Sequence, residues 1–155
     1  MNFIELNNGD KKILVRFRRF NPDDADSLIK CIQDEYGESY FKRNFYDINY
    51  LKNEYESGHI TFLVAELDNC DIIGMLALKR FLPQEFMCEI ASEIFLKKYR
   101  GFKMAYPFFR YALRQIHLMK DVSAIYCLPV VFHDISQRLM ERIRLEPCGF
   151  VFGAF

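Results

Sequence analysis

Four cationic side chains, Lys97, Lys98, Arg100 and Lys103, crowd seven residues around Gly101, and the chain then turns abruptly apolar. The stretch KKYRGFKMAYPFF, residues 97–109, reads as a strand giving way to a helix. The first N–H groups of a helix have no intrahelical partner, and the helix dipole adds partial positive charge there. A glycine at that corner lets backbone and ligand come close, so phosphate is the natural guest. The plainer alternative is a solvated basic turn that only aids solubility. Just upstream, MCEIASEIFL alternates so that Met87, Glu89, Ala91, Glu93 and Phe95 share one strand face. Two carboxylates on one face of a central strand are unusual. A carboxylate enclosed there titrates above its ordinary range, which suits a general base, and Glu89 is the better candidate for it and Glu93 the weaker.

Other titratable residues form no constellation of comparable promise. His133 precedes a helix and is either a proton carrier near neutral pH or a cap. His59 and His117 stand alone, and Asp134 and Ser136 are too close in sequence to His133 to form a hydrolase triad. No three ligands occur at metal spacing. The five cysteines are odd in number, widely spaced and without a CxxC pair, which points to reduced, mostly buried thiols in a cytoplasmic protein.

The totals bound the reading further. The 155 residues suit one domain, 1–155. Lysine plus arginine equals aspartate plus glutamate at 21 each, so no general basic surface invites nucleic acid. The apolar runs are too short for a bilayer span, and Met1–Asp10 is too polar for a signal peptide.

The elements that must position these residues follow from periodicity. Residues 13–20 alternate as a strand. Asn21-Pro22 opens a helix with Ala25, Leu28, Ile29 and Ile32 inward, and Gly37 stops it. A weaker helix spans Ile48–Tyr55 and ends at Gly58. Strands are expected over Ile60–Glu66, Ile72–Phe81 and Phe86–Leu96, the first two joined by the turn LDNCD. From Ala105 the positions 105, 108, 109, 112, 113 and 116 make a helix face. SAIYCLPVV is the next strand, and Asp134 with Gln137 resembles a capping box opening a helix with Ile135, Leu139 and Ile143 inward. FVFGAF is a last short strand. The order is β-α-α-β-β-β-α-β-α-β, an α/β fold whose mixed sheet is flanked by helices.

In that setting the chain resembles the Gcn5-related N-acetyltransferase (GNAT) family from Val15 to about Gly153. The family's fourth strand leads into an Arg/Gln-x-x-Gly-x-Gly/Ala loop that opens a helix, and here the loop reads Arg100-Gly101-Phe102-Lys103-Met104-Ala105. Lys103 stands where the family has the glycine in the middle of that motif, and Ala105 fits its last position. The resemblance implies acetyl-CoA as cosubstrate, its pyrophosphate on the amides of Gly101, Phe102, Lys103, Met104, Ala105 and Tyr106, with Arg100 at the head of the loop. It implies that the pantetheine arm pairs like an added strand with the backbone of Glu93, Ile94 and Phe95. Glu89, eleven residues before Arg100, matches the spacing of the catalytic glutamate in histone-type members. Its structural alternative is an ion pair with an arginine of the first strand. His133 falls where many members carry an asparagine that contacts the cofactor.

The usual acid for the leaving thiolate, a tyrosine seven residues after that asparagine, is here Met140. Tyr126 and Tyr106 are the hydroxyls left to substitute. The aromatic stretch 36–50, with Glu38, Tyr40 and Tyr46, is placed to line the acceptor pocket. The His-x-x-Ser-Gln segment resembles a variant found beside other domains, and the family usually has a seventh strand. The chain thus reads as an excised domain, or as one that pairs its edge with a second copy. The expected activity is transfer of an acetyl group from acetyl-CoA to an amine on a small molecule or protein. Met140 and Lys103 favour one alternative, an acyl-CoA-binding sensor without turnover; the other is an interaction domain that kept the fold and lost the ligand.

Overall fold

The computed structural model describes residues 3–80, 86–129 and 134–149. His133 and the expected strand at 150–155 lie outside the described residues. Six strands form one sheet in chain order: β1 (Ile4–Asn8), β2 (Lys11–Arg19), β3 (Ile60–Leu67), β4 (Ile72–Lys79), β5 (Met87–Phe95) and β6 (Ala124–Tyr126). The helices are α1 (Ala25–Tyr36), α2 (Ile48–Ser57), α3 (Ala105–His117) and α4 (Ile135–Arg142). The first five strands pair antiparallel and β5–β6 is parallel, so the sheet is mixed as expected.

β1 is the element the periodicity reading missed. It pairs with β2 from Ile4↔Val15 to Asn8↔Lys11, around a turn in which Gly9 takes φ 58°. The Asn8-Gly9 dipeptide is a hairpin signal, but the polar, exposed strand before it masked the alternation.

Side-chain parity sorts the core into two layers. On one face Phe17 of β2 and Phe95 of β5 pack on Phe108 of α3, with ring centroids 4.8 and 5.5 Å away. On the other, Phe62 of β3 meets Phe20 and Phe45 edge-on, beneath α1 and α2. α1 begins as designed by its sequence: the Asn21 side chain accepts from Asp23 N–H in a capping box, Pro22 leads a short 3-10 turn, and Gly37 follows the last turn. α2 ends on Gly58 in the left-handed region. In α4 the expected inward Ile135 is exposed and Met140 is the buried position. Asp134 makes no cap there; it pairs with Arg138 one turn on at 2.6 Å.

The cysteines divide. Cys31 and Cys88 are buried, Cys127 is half-buried, and Cys70 and Cys148 are exposed, so the expectation of mostly buried thiols holds for only part of the set. Cys70 lies in the β3–β4 turn, where no core is near. Among the described residues no helix is long and apolar enough to cross a membrane, and no three His, Cys, Asp or Glu side chains gather around a metal position.

Candidate functional site

β5 is paired on both sides only over its first third. β6 matches Met87, Cys88 and Glu89 with Ala124, Ile125 and Tyr126, and among the described residues no strand continues beside Ile90–Phe95. Along that edge Phe95 O accepts from Arg100 Nε at 3.2 Å, and the backbone groups before it are the ones an extended ligand can pair with.

The same segment carries a β-bulge. Ala91 opposes Ala77 and Ile94 opposes Met75, so Ser92 and Glu93 together face one residue of β4, and Ser92 sits at φ 54°. A bulge shifts the pleat by one, and this overturns the expectation that Phe95 shares a face with Glu89. Phe95 instead packs on α3, where its ring lies against Gly74 so closely that a Cβ on Gly74 would fall 2.3 Å from it. Ala91 and Ile94 share the α1–α2 side.

Glu93 is the chemically distinctive residue of the segment. As a residue it is half-buried, yet its Oε1 is shut off from solvent and has no hydrogen-bond partner among the described residues. Burial pushes its carboxyl up to about 7. Glu89 is the last β5 residue paired with β6, level with Tyr126, at the mouth of the unpaired edge. Its structural alternative is not realised, because Arg16 and Arg18 of β2 both turn to Glu66, at 2.5 and 2.9 Å.

The basic corner is built differently from its sequence description. Lys97–Phe102 form a 3-10 turn, and buried Phe102 and Met104 anchor it to the core. Arg100 is a brace: its Nε donates to Phe95 O at 3.2 Å and its guanidinium pairs with Glu35. The second oxygen of Glu35 accepts the Lys97 N–H at 2.7 Å. Gly101 is close to a side chain of the protein itself, since a Cβ there would fall 2.3 Å from Asn8 Nδ2. The missed strand β1 thus supports this corner.

Lys103, in the position of the motif's middle glycine, adopts φ 55°, ψ 35°. A non-glycine residue there costs about 1 kcal/mol, so the loop keeps the glycine's backbone shape without the glycine. The first α3 bond runs from Phe108 N–H to Met104 O at 3.0 Å. The N–H groups of Met104, Ala105 and Tyr106 precede it and Pro107 has none, which leaves a short row of donors at the helix start. Tyr106 stacks against Arg142 of α4, 4.3 Å from its guanidinium carbon, so it ties two helices together.

Across from the bulge stands the loop between α1 and α2. Tyr40 is buried, with rings of Tyr36, Phe41 and Phe45 around it, and burial pushes its hydroxyl up to about 12. Tyr46 is structural, donating to Gly37 O at 2.7 Å and accepting from Tyr40 N–H at 3.1 Å. Glu38 is exposed and accepts from Gln33. Lys42, which the residue pattern did not single out, reaches in to Ser92 Oγ at 2.6 Å. Sequence carries no sign of this contact, because the two residues are fifty positions apart and meet only through the bulge.

No protein-family model and no curated protein sequence matches the chain. Solved structures do. A spermidine N-acetyltransferase SpeG variant from Vibrio cholerae superposes with TM-score 0.75 at 16% identity, over 91% of this chain and 84% of that one. AAC(6')-Iy in complex with the bisubstrate analogue CoA-S-monomethyl-acetylneamine gives 0.67 at 14% identity, over 89% and 95%. A predicted acetyltransferase with acetyl-CoA from Clostridium acetobutylicum gives 0.64 at 13% identity, over 86% and 91%. The fold of this chain is that of the Gcn5-related N-acetyltransferases.

Proposed function

We propose that the chain is an acetyl-CoA-dependent N-acetyltransferase of the Gcn5-related type, acting on an amine. The observation that carries the reading is the open edge of β5 beyond Glu89, bulged at Ser92 and running into the donor row of α3. The residues present suit the cosubstrate: an unpaired strand edge accepts an extended amide-bearing arm, and the corner at Lys103 offers N–H groups and a cation to a pyrophosphate. Glu93, Ile94 and Phe95 would hold the arm by backbone. Gly101 to Tyr106 would hold the phosphates by amides, with Arg100 bracing the loop from behind. Acetyl-CoA, when bound, supplies an activated acyl carbon.

The chain's own residues then divide the proton work. Glu93, enclosed and unpartnered, is suited to take a proton from an incoming ammonium near neutral pH. Glu89 at the mouth of the unpaired edge draws the cationic acceptor in and is the second carboxylate able to act as base. Backbone N–H groups at the bulge would take the negative charge that develops on the acyl oxygen. Met140 can carry no proton, so the leaving sulfur must take one from elsewhere; Tyr126, level with Glu89 by register, is the hydroxyl assigned that role. SpeG and AAC(6')-Iy support small amines as the acceptor class.

The test is release of free thiol from acetyl-CoA over a panel of polyamines, amino acids and lysine peptides. The reading expects kcat/KM to rise as pH passes through about 7. Glu93→Gln should lower it by about 10²–10⁴-fold. Binding without turnover across the whole panel would support the sensor reading, which Met140 specifically favours.

A further inference from the structure

We propose that the chain acetylates itself, with the side chain of Lys42 occupying the acceptor position opposite the bulge of β5. The inference rests on the acyltransferase reading above and names one acceptor of that same site. Long lysine side chains ordinarily run their stems along the surface and keep the ammonium in water. Lys42 does the reverse. From the α1–α2 loop it turns inward until Nζ is 2.6 Å from Ser92 Oγ, on the left-handed residue of the bulge. There it lies over the rings of Phe41 and Phe45, 5.5 Å from each centroid.

Its surroundings are those of a nucleophile rather than of a structural cation. A lysine buried for stability is held by a carboxylate, and Lys42 forms no ion pair among the described residues. Burial lowers the pKa of its ammonium; Glu89 works against that shift and Lys79 works with it. A larger share of Lys42 is therefore the neutral, reactive amine at a given pH than of an exposed lysine. The bulge is also where the reading puts the thioester, at the end of the arm lying along Glu93, Ile94 and Phe95.

The chemistry closes. The Lys42 ammonium gives one proton to a carboxylate of the site, Glu93 or Glu89, and from there to water. The neutral Nζ attacks the thioester carbon; a C–N bond forms, the C–S bond breaks, and its electron pair leaves with sulfur. The proton shed by the new amide nitrogen ends on the thiolate. The products are an N-acetylated Lys42, free CoA and one proton in solution. Afterwards the cation over Phe41 and Phe45 is gone.

The experiment is intact-protein mass spectrometry of the full chain incubated with acetyl-CoA, with peptide mapping, and calorimetric binding of acetyl-CoA to the same sample. The inference expects one acetyl group, on Lys42, gained at a rate independent of protein concentration. Lys42→Arg should abolish that gain, and Glu93→Gln should slow it at least tenfold while the exposed Lys11 and Lys12 react as before. Binding without acetylation of Lys42, or Lys42 reacting no faster than Lys11 and Lys12, would overturn self-acetylation and leave the acyltransferase reading standing. Absence of binding would overturn both.

Discussion

Glu66 and Glu93 are two carboxylates on strands of one sheet, and the protein treats them in opposite ways. Glu66, on β3, is almost fully buried and receives Arg16 and Arg18, with Arg18 bridging on to Asp24 at 2.6 Å. Hydrogen bonds from Arg18 hold its carboxyl below the ordinary carboxylate range, outweighing burial. Glu93, on β5, has an enclosed oxygen with no partner among the described residues, and burial alone drives it up. The first arrangement builds a network that locks the α1 start to the sheet. The second leaves a polar group in a costly state that packing could have relieved, and such states concentrate at functional sites. The unequal treatment marks Glu66 as structural and is the reason the proposal assigns the proton work to β5.

The contrast can be broken at Glu66 first. Glu66→Ala removes the shared acceptor of Arg16 and Arg18, leaving Arg18 with Asp24 as its carboxylate partner, and should destabilise by about 3 kcal/mol, visible as a lower urea midpoint. Because the folded pKa of Glu66 is depressed, its contribution is present above the unfolded value, ordinarily 4.5, and is lost as pH falls through the folded value. An unchanged midpoint would show that the network carries no stability.

Glu93 has the opposite sign. Its folded pKa of about 7 exceeds the ordinary 4.5, so the folded state binds more protons between those values and stability falls as pH rises across that window. Glu93→Gln should flatten the fall. At pH 8 it should raise stability by up to about 3 kcal/mol, less the cost of an amide in an unpartnered place. Parallel pH profiles for the two proteins would contradict an enclosed carboxylate.

Two smaller changes sharpen the geometry around Glu93. Gly74→Ala drives a Cβ into the Phe95 ring and to 2.8 Å from Ile94 O, and should cost about 2 kcal/mol by pushing on the bulge from β4. Lys103→Gly relieves a left-handed lysine and should gain up to about 1 kcal/mol, offset in part by the freedom glycine has when unfolded. Thermal denaturation resolves both.

Much of the scaffold was legible because local chemistry and tertiary role agree. Asn21-Pro22 caps as it reads, Gly37 and Gly58 stop their helices, and the apolar spacing from Ala105 gives the buried face of α3. The strand order followed from alternation, except β1, whose Asn8-Gly9 turn was visible but whose strand is a polar edge. The site was legible in part. The basic corner and the two glutamates were found by type and spacing, but their roles depend on contacts that spacing does not encode. Arg100 turns back to Glu35, and Gly101 meets Asn8. The bulge at Ser92 has no glycine to announce it, so strict alternation misplaced Phe95. Lys42 comes to the site only because that bulge and the α1–α2 loop face each other.

The most direct test of the central claim is calorimetric titration of the protein with acetyl-CoA, repeated on Lys103→Glu. The account predicts saturable one-to-one binding that the charge reversal weakens at least tenfold, since Lys103 stands beside the donor row of α3. No heat and no thermal shift at saturating acetyl-CoA would contradict it, and the open edge of β5 would then hold no acyl-CoA.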